Sequence, residues 1–206
     1  MHMADAVDSD LVEELADEDR REWRLLGDEG VVSQYAFGSY LPLDTARAAV
    51  RRVAERLVVG LSDAAYKRDL PALPSFNQVT WGRYPQRTGR ITKHADPADY
   101  GGVIAIFTLR GAASFRVFGP GAEVVEWQTG PGQLALLRGA RWPHETSRCP
   151  LHEVDPPGSG ERMIMTLRSN SGGRRNRPHR VRICLRDRRR IAGSTVHQGY
   201  RRVENL

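Results

Sequence analysis

The sequence predicts a mostly β fold with flanking helices, of the sandwich, barrel or jelly-roll type. Between residues 76 and 170 about eight short segments rich in β-branched, aromatic and aliphatic residues follow one another. The breaks between them are turn clusters: Pro-Gln-Arg-Thr-Gly from Pro85, Gly-Pro-Gly-Ala from Gly119, Thr-Gly-Pro-Gly from Thr129 and Asp-Pro-Pro-Gly-Ser-Gly from Asp155. No internal repeat and no alternation of strand with long helix accompanies them, which excludes a parallel α/β sheet.

Composition bounds the answer. The 206 residues, 40% hydrophobic and 27% charged, suffice for one domain with a sizeable core plus tails. No apolar run approaches the roughly 18 residues of a membrane span. The acidic N-terminus lacks an apolar signal core, so a cytoplasmic location is expected. Cys149 and Cys184 are the two cysteines, too few for a disulfide framework or a Cys-rich zinc site and suited to a reducing compartment. The formal charge of +6 is unevenly spread. Residues 174–206 hold eleven arginines against Asp187 and Glu204, whereas residues 1–30 hold eleven acids against three arginines. A basic tail on a mildly acidic body is weaker evidence for nucleic acid than a uniformly basic face.

The expected organisation is an N-terminal helical or cover region over 1–75, a β core over 76–170 and an Arg-rich C-terminal extension over 171–206. Residues 8–26 read as a polar, acid-rich, peripheral helix. Val31–Pro42 reads as strand or loop, with Tyr35, Phe37 and Tyr40 as core-packing or substrate-side aromatics. Asp44 is a candidate N-cap for a helix from Thr45 to Val59 with Gly60 as its stop. Its apolar stripe of Ala46, Ala49, Val50, Val53 and Leu57 suits a helix laid on a sheet. Strands are expected over Asn77–Tyr84, Arg90–Asp96, Val103–Leu109, Ala113–Phe118, Val124–Trp127, Gln133–Arg138, Leu151–Val154 and Arg162–Arg168. Trp81, Trp127 and Trp142 read as core or rim aromatics. Val181, Ile183 and Leu185 alternate with arginines and can form a last edge strand.

The chemistry begins at His94-Ala95-Asp96. Two residues apart on a strand, an imidazole and a carboxylate face the same side and can share a metal. They supply two thirds of a 2-His-1-carboxylate site for non-haem Fe(II). The segment from Arg162 to Arg168 alternates, with Met163, Met165 and Leu167 on one face and Arg162, Ile164, Thr166 and Arg168 on the other. Two arginines sharing a face with Ile164 and Thr166 suit an inward surface that binds a dicarboxylate. Two histidines compete to complete the triad. His152 lies on a strand one hairpin before Arg162, and His144 lies in the loop Arg-Trp-Pro-His-Glu. A strand holds a ligand more rigidly, which favours His152.

Taken in order, His94-Ala95-Asp96, Gly132-Gln-Leu-Ala-Leu-Leu, His152-Glu-Val-Asp-Pro and Arg162-Met-Ile-Met-Thr-Leu-Arg168 resemble the core of Fe(II)/2-oxoglutarate-dependent dioxygenases, the AlkB-like branch above all. The resemblance runs from about Trp81 to Asn170. It implies a double-stranded β-helix core, also called jelly-roll or cupin-like, with His94, Asp96 and His152 as ligands of Fe(II). It also implies Arg162 on the distal carboxylate of 2-oxoglutarate, Tyr84 hydrogen-bonding that co-substrate, and Arg168 near its metal-proximal end or orienting a ligand. The implied reaction consumes O2 and 2-oxoglutarate, releases succinate and CO2, and hydroxylates a substrate carbon, with demethylation where that carbon bears nitrogen. Two positions depart from the family pattern. The family's Asn-x-Tyr reads Gly82-Arg83-Tyr84, with Asn77 as a substitute amide, and the asparagine two places after the first arginine is Ile164.

Three functions from different classes follow. A dioxygenase acting on a small molecule or natural-product intermediate ranks first, because the segment before the Asp44 helix is short for a nucleotide-recognition lid. An oxidative demethylase of alkylated DNA or RNA bases, assisted by the 174–206 tail, ranks second. A non-catalytic β-helix that binds a ligand or nucleic acid ranks third.

Overall fold

The computed structural model describes residues 2–3, 6–17, 23–26, 36–73, 75–144 and 146–171. Among the described residues, eleven strands form two antiparallel sheets: β1 His2–Met3, β2 Arg24–Leu26, β3 Ala36–Pro42, β4 Gln78–Tyr84, β5 Ile91–His94, β6 Tyr100–Arg110, β7 Ala113–Phe118, β8 Val124–Thr129, β9 Leu134–Arg138, β10 Leu151–Val154 and β11 Arg162–Asn170. Helix α1 spans Ser9–Ala16 and α2 spans Ala48–Tyr66. The large sheet runs β1-β9-β6-β11-β4-β3-β2 and the small one β5-β10-β7-β8. All eight strands expected between residues 76 and 170 are present, with ends shifted by a few residues.

The large sheet is buried on both faces, and the alternation of each strand assigns its residues to one side. Val79 and Trp81, Val103, Ala105, Phe107 and Leu109, Leu134 and Leu136, and Met163, Met165 and Leu167 pack with α1 and α2. Tyr84, Ile104, Ile106, Ala135, Leu137 and Ile164 turn the other way and meet Phe115 and Val154 of the small sheet. The arginine face of β11 therefore looks into the space between the sheets, as its pattern predicts. Helix α1 starts at an Asp8 cap, whose carboxylate accepts from the Leu11 N–H at 2.8 Å. Its other end is fixed where the Trp81 indole N–H donates to the Leu15 carbonyl at 3.2 Å.

Three local expectations are corrected. The N-terminal helix ends at Ala16 instead of reaching residue 26, and it is not peripheral, because Val12, Leu15 and Ala16 are core residues. Arg24–Leu26 is a strand paired with β3. Helix α2 begins at Ala48 after a 3₁₀ turn at Leu43–Thr45, and it runs through Gly60 to Tyr66. Gly60 faces open space, and Leu61 and Ala65 continue beyond it the stripe of Val53 and Leu57. Burial of that stripe outweighs the roughly 1 kcal/mol that a mid-helix glycine costs. Asp44 belongs to the 3₁₀ turn, so it caps nothing in α2. Tyr35, the arginine tail and its possible edge strand lie outside the described residues. Among the described residues no helix is long and apolar enough to cross a membrane.

The β6–β7 turn places the start of β11 through Gly111, whose φ of +67° suits glycine. A Cβ there would clash with the Glu161 carbonyl oxygen and meet the Arg162 Cα at 2.9 Å. Gly111→Ala is expected to cost about 2–3 kcal/mol. Urea denaturation checks this as a lowered midpoint with an unchanged slope.

Candidate active site

Antiparallel pairing of β5 with β10 sets His94 directly opposite His152. Asp96 follows two residues after His94, just beyond the end of β5. One ligand atom from each of His94, Asp96 and His152 lies within 4.8 Å of the other two. The imidazole centroids are 4.3 Å apart, and His152 Nε2 is 3.7 Å from Asp96 Oδ2. Each histidine also shows which nitrogen is free for a metal. Nδ1 of His94 bonds the Thr92 carbonyl at 2.9 Å, and Nδ1 of His152 bonds the Pro150 carbonyl at 3.1 Å. A carbonyl only accepts, so Nδ1 carries the proton and Nε2 presents its lone pair. Burial, reinforced by the facing His152, holds the His94 imidazole below its ordinary pKa, in the neutral form that ligates. Two imidazole nitrogens and one carboxylate oxygen fit a non-haem Fe(II) ion.

Strand β10 is itself held firmly. On its outer face Arg116 of β7 bonds Glu153 at 2.9 Å, Glu126 of β8 at 3.1 Å, and Asp155 through both carboxylate oxygens. On its inner face Phe115 stacks on the His152 ring at an interplanar angle of 1°. His144 lies exposed in the loop after β9, and it is not among the residues brought to the triad.

Arg162 is 1% exposed, at the inter-sheet end of β11. Its guanidinium lies 5.6 Å from the centroid of the Tyr84 ring, directly across the β4–β11 ladder, and donates to Thr108 Oγ1 at 3.4 Å. Its Nε is buried with no hydrogen-bond partner, and among the described residues no carboxylate pairs with it. Burial lowers its pKa to about 10, so it stays charged at neutral pH. A buried charge of this kind costs several kcal/mol, and a carboxylate ligand would relieve it.

Arg168 sits at the other end of the same face, about 20 Å along the strand. Its guanidinium lies 4.7 Å over the Tyr100 ring; burial opposes its charge, but its surroundings, the Asp96 carboxylate among them, hold its pKa above the ordinary value. The triad is therefore on the Arg168 side of the space. Asn77 does not serve as a substitute amide, because its side chain pairs with both backbone groups of Asn170 at 2.9 Å. Gly82 and Ile164 turn out to be cross-strand partners, and a Cβ on Gly82 would meet Ile164 Cγ1 at 3.2 Å. The two departures from the family pattern thus fill one spot, a large apolar residue over a glycine. Tyr40 shares this face and is 44% exposed, so it is not a core residue. Of the tryptophans, Trp81 is core, and Trp127 stacks on Phe115 at 4.9 Å. Thr108 was overlooked at the sequence level. A hydroxyl inside the apolar run from Val103 to Leu109 was its one visible signal.

No protein-family model matches the sequence, and a search of the curated proteins finds no relative. Among solved structures, a Pseudomonas putida prolyl-4-hydroxylase aligns with a TM-score of 0.61 and 21% identity, over 82% of this chain and 91% of that one. An oxidoreductase of the 2OG-Fe(II) oxygenase family from Burkholderia pseudomallei aligns with a TM-score of 0.59 and 16% identity, over 83% and 84% of the two chains. A viral collagen prolyl hydroxylase from Paramecium Bursaria Chlorella virus-1, solved with 2OG, gives 0.57 and 13%, over 82% and 93%. These likenesses establish the fold, the double-stranded β-helix of that class of oxygenase.

Two outcomes are expected of variants here. His152→Ala loses Fe(II) or Co(II) binding by more than about tenfold while His144→Ala keeps it, as read by anaerobic metal titration. Arg162→Met raises the stability of the ligand-free protein by about 1–4 kcal/mol, because it removes an unpaired buried charge, and chemical denaturation reads that gain.

Proposed function

We propose that this chain is an Fe(II)- and 2-oxoglutarate-dependent dioxygenase that hydroxylates, or oxidatively demethylates, a small organic substrate. One observation carries the reading: a buried guanidinium without a carboxylate partner shares an inter-sheet space with an N,N,O donor triad. The order of the Arg162–Arg168 strand after the triad supports placement near the AlkB-like branch.

In this reading His94, Asp96 and His152 hold the metal through Nε2, a carboxylate oxygen and Nε2. Arg162 takes the distal carboxylate of 2-oxoglutarate through its unpartnered Nε and a neighbouring Nη. Thr108 fixes the plane of that guanidinium, and Tyr84 shields it and offers a phenol. Ile104, Ile106, Phe115 and Ile164 line the space with hydrocarbon, which excludes water and strengthens each charge contact inside. When bound, Fe(II) supplies oxygen activation coupled to decarboxylation of the co-substrate. Two of the similar structures are named as prolyl hydroxylases, so peptidyl proline is a second substrate class for screening.

Anaerobic addition of Fe(II) and 2-oxoglutarate is expected to give a metal-to-ligand charge-transfer band, and oxygen then gives succinate, quantified by NMR. Asp96→Ala is expected to lose both signals. A wild-type protein that shows neither band nor succinate is not an oxygenase of this class.

A further inference from the structure

Strand β4 carries on its inter-sheet face an acceptor without a donor. Oε1 of Gln78 is buried and has no hydrogen-bond partner among the described residues. Gln78 shares that face with Tyr84, because Val79 and Trp81 between them pack into the helix layer. Its two cross-strand neighbours explain the orphan. On β3 stands Pro42, which has no N–H and no polar side chain. On β11 stands Arg168, whose guanidinium lies over the Tyr100 ring at 4.7 Å and leaves the amide oxygen unbonded. The same pairing puts Gln78 on the metal side of the space, since the Asp96 carboxylate is close enough to act on the Arg168 charge.

A buried carbonyl oxygen is satisfied only by a donor, and leaving it bare is costly. In the oxygenase reading, on which this inference rests, the co-substrate cannot supply one, because every oxygen of the 2-oxoglutarate dianion is an acceptor. Both arginines of the neighbouring strand are donors suited to its carboxylates, whereas an amide oxygen repels them. The remaining occupant of the space is the substrate. We propose that Gln78 is a specificity-determining residue whose Oε1 accepts a hydrogen bond from a neutral N–H or O–H of the substrate. The substrate class is then a small secondary amide, lactam or alcohol with its donor near the carbon to be oxidised. A cationic donor is disfavoured by the Arg168 charge across the ladder. A fully N-alkylated amide or a simple ether lacks the donor and leaves the oxygen buried and unpaired.

The test uses the full chain as wild type and Q78M. The probes are small secondary amides, lactams and alcohols, each beside its N-methyl or O-methyl counterpart. Binding is read by ligand-detected NMR on the Zn(II)-loaded protein with 2-oxoglutarate, where no turnover occurs. At least one donor-bearing probe is expected to bind wild type about tenfold more tightly than its methylated counterpart. In Q78M that preference is expected to fall to about twofold or less. Methionine keeps the length and bulk of glutamine, so a preference set by the size of the added methyl persists in Q78M and overturns the proposal. Equal binding within every pair, or no binding by any donor-bearing probe, overturns it as well. A second readout needs no substrate. Q78M is expected to raise the urea midpoint of the Zn(II)-loaded protein without 2-oxoglutarate, because an orphan buried acceptor is removed. A lowered midpoint shows that the amide is bonded within the free protein, and the inference fails. Loss of the Fe(II)–2-oxoglutarate band in Q78M alone assigns the amide to the co-substrate and also overturns it. A missing band in wild type brings down the oxygenase reading itself, and is thereby distinguished from failure of the substrate inference.

Discussion

Burial of β11 on both faces is the constraint on which the rest depends. A strand in that position cannot present a solvated side, so each residue must suit either the helix layer or the inter-sheet space. Met163, Met165 and Leu167 satisfy the first requirement by transfer from water, each worth about 1.5–3 kcal/mol. The opposite face then has two arginines fixed in place by the same register, since a slip of one residue would bury both under the helices. The antiparallel ladders to β4 and β6 set that register from Arg162 to Asn170. Tyr84 opposite Arg162 and Gln78 opposite Arg168 are consequences of it.

The metal side is built by a different device. Its two histidines stand on β5 and β10, four-residue strands of the small sheet that contribute little stability of their own, and Asp96 follows just beyond β5. Rigidity there is borrowed from the outer face, where Arg116 gathers carboxylates from β8, from β10 and from the turn after it. Exposed ion pairs contribute little individually, but one guanidinium on β7 shared among acids of β8, β10 and the following turn fixes their relative positions. The small sheet thus orients the ligands and the large sheet supplies the charges that face them.

Much of this was legible in the sequence, and the limits have physical causes. Alternation along 162–168 disclosed the arginine face because a strand has period two and the partner face is hydrocarbon. His94-Ala95-Asp96 was legible by the same argument, although the strand stops at His94 and Asp96 stands just beyond it. The choice between His152 and His144 needed only the argument that a strand is stiffer than a loop. Gly60 misled because a glycine is a weak stop when the apolar stripe runs past it. Leu15 misled because a short acidic helix reads as solvated until Trp81 is seen to bond its end. Thr108 showed only as a hydroxyl inside an apolar run, since its significance lies in what stands across a ladder and not in its own segment.

Gly82 and Ile164 show how such cross-strand information changes a functional argument. Read along the chain, they are two separate losses of an amide that could hold a co-substrate, and together they weaken the resemblance. Read across the β4–β11 ladder, they are one substitution, in which a side chain is removed from one strand and added to its partner with the volume between the sheets preserved. The wall at that position is apolar in place of polar. In the proposed reading, fewer neutral donors then remain to orient a bound co-substrate, and more of that work falls on Arg162. A pocket built this way relies on ion pairing, whose strength rises as water is excluded. That makes the hydrocarbon of Ile104, Ile106 and Phe115 as much a part of the binding chemistry as Arg162.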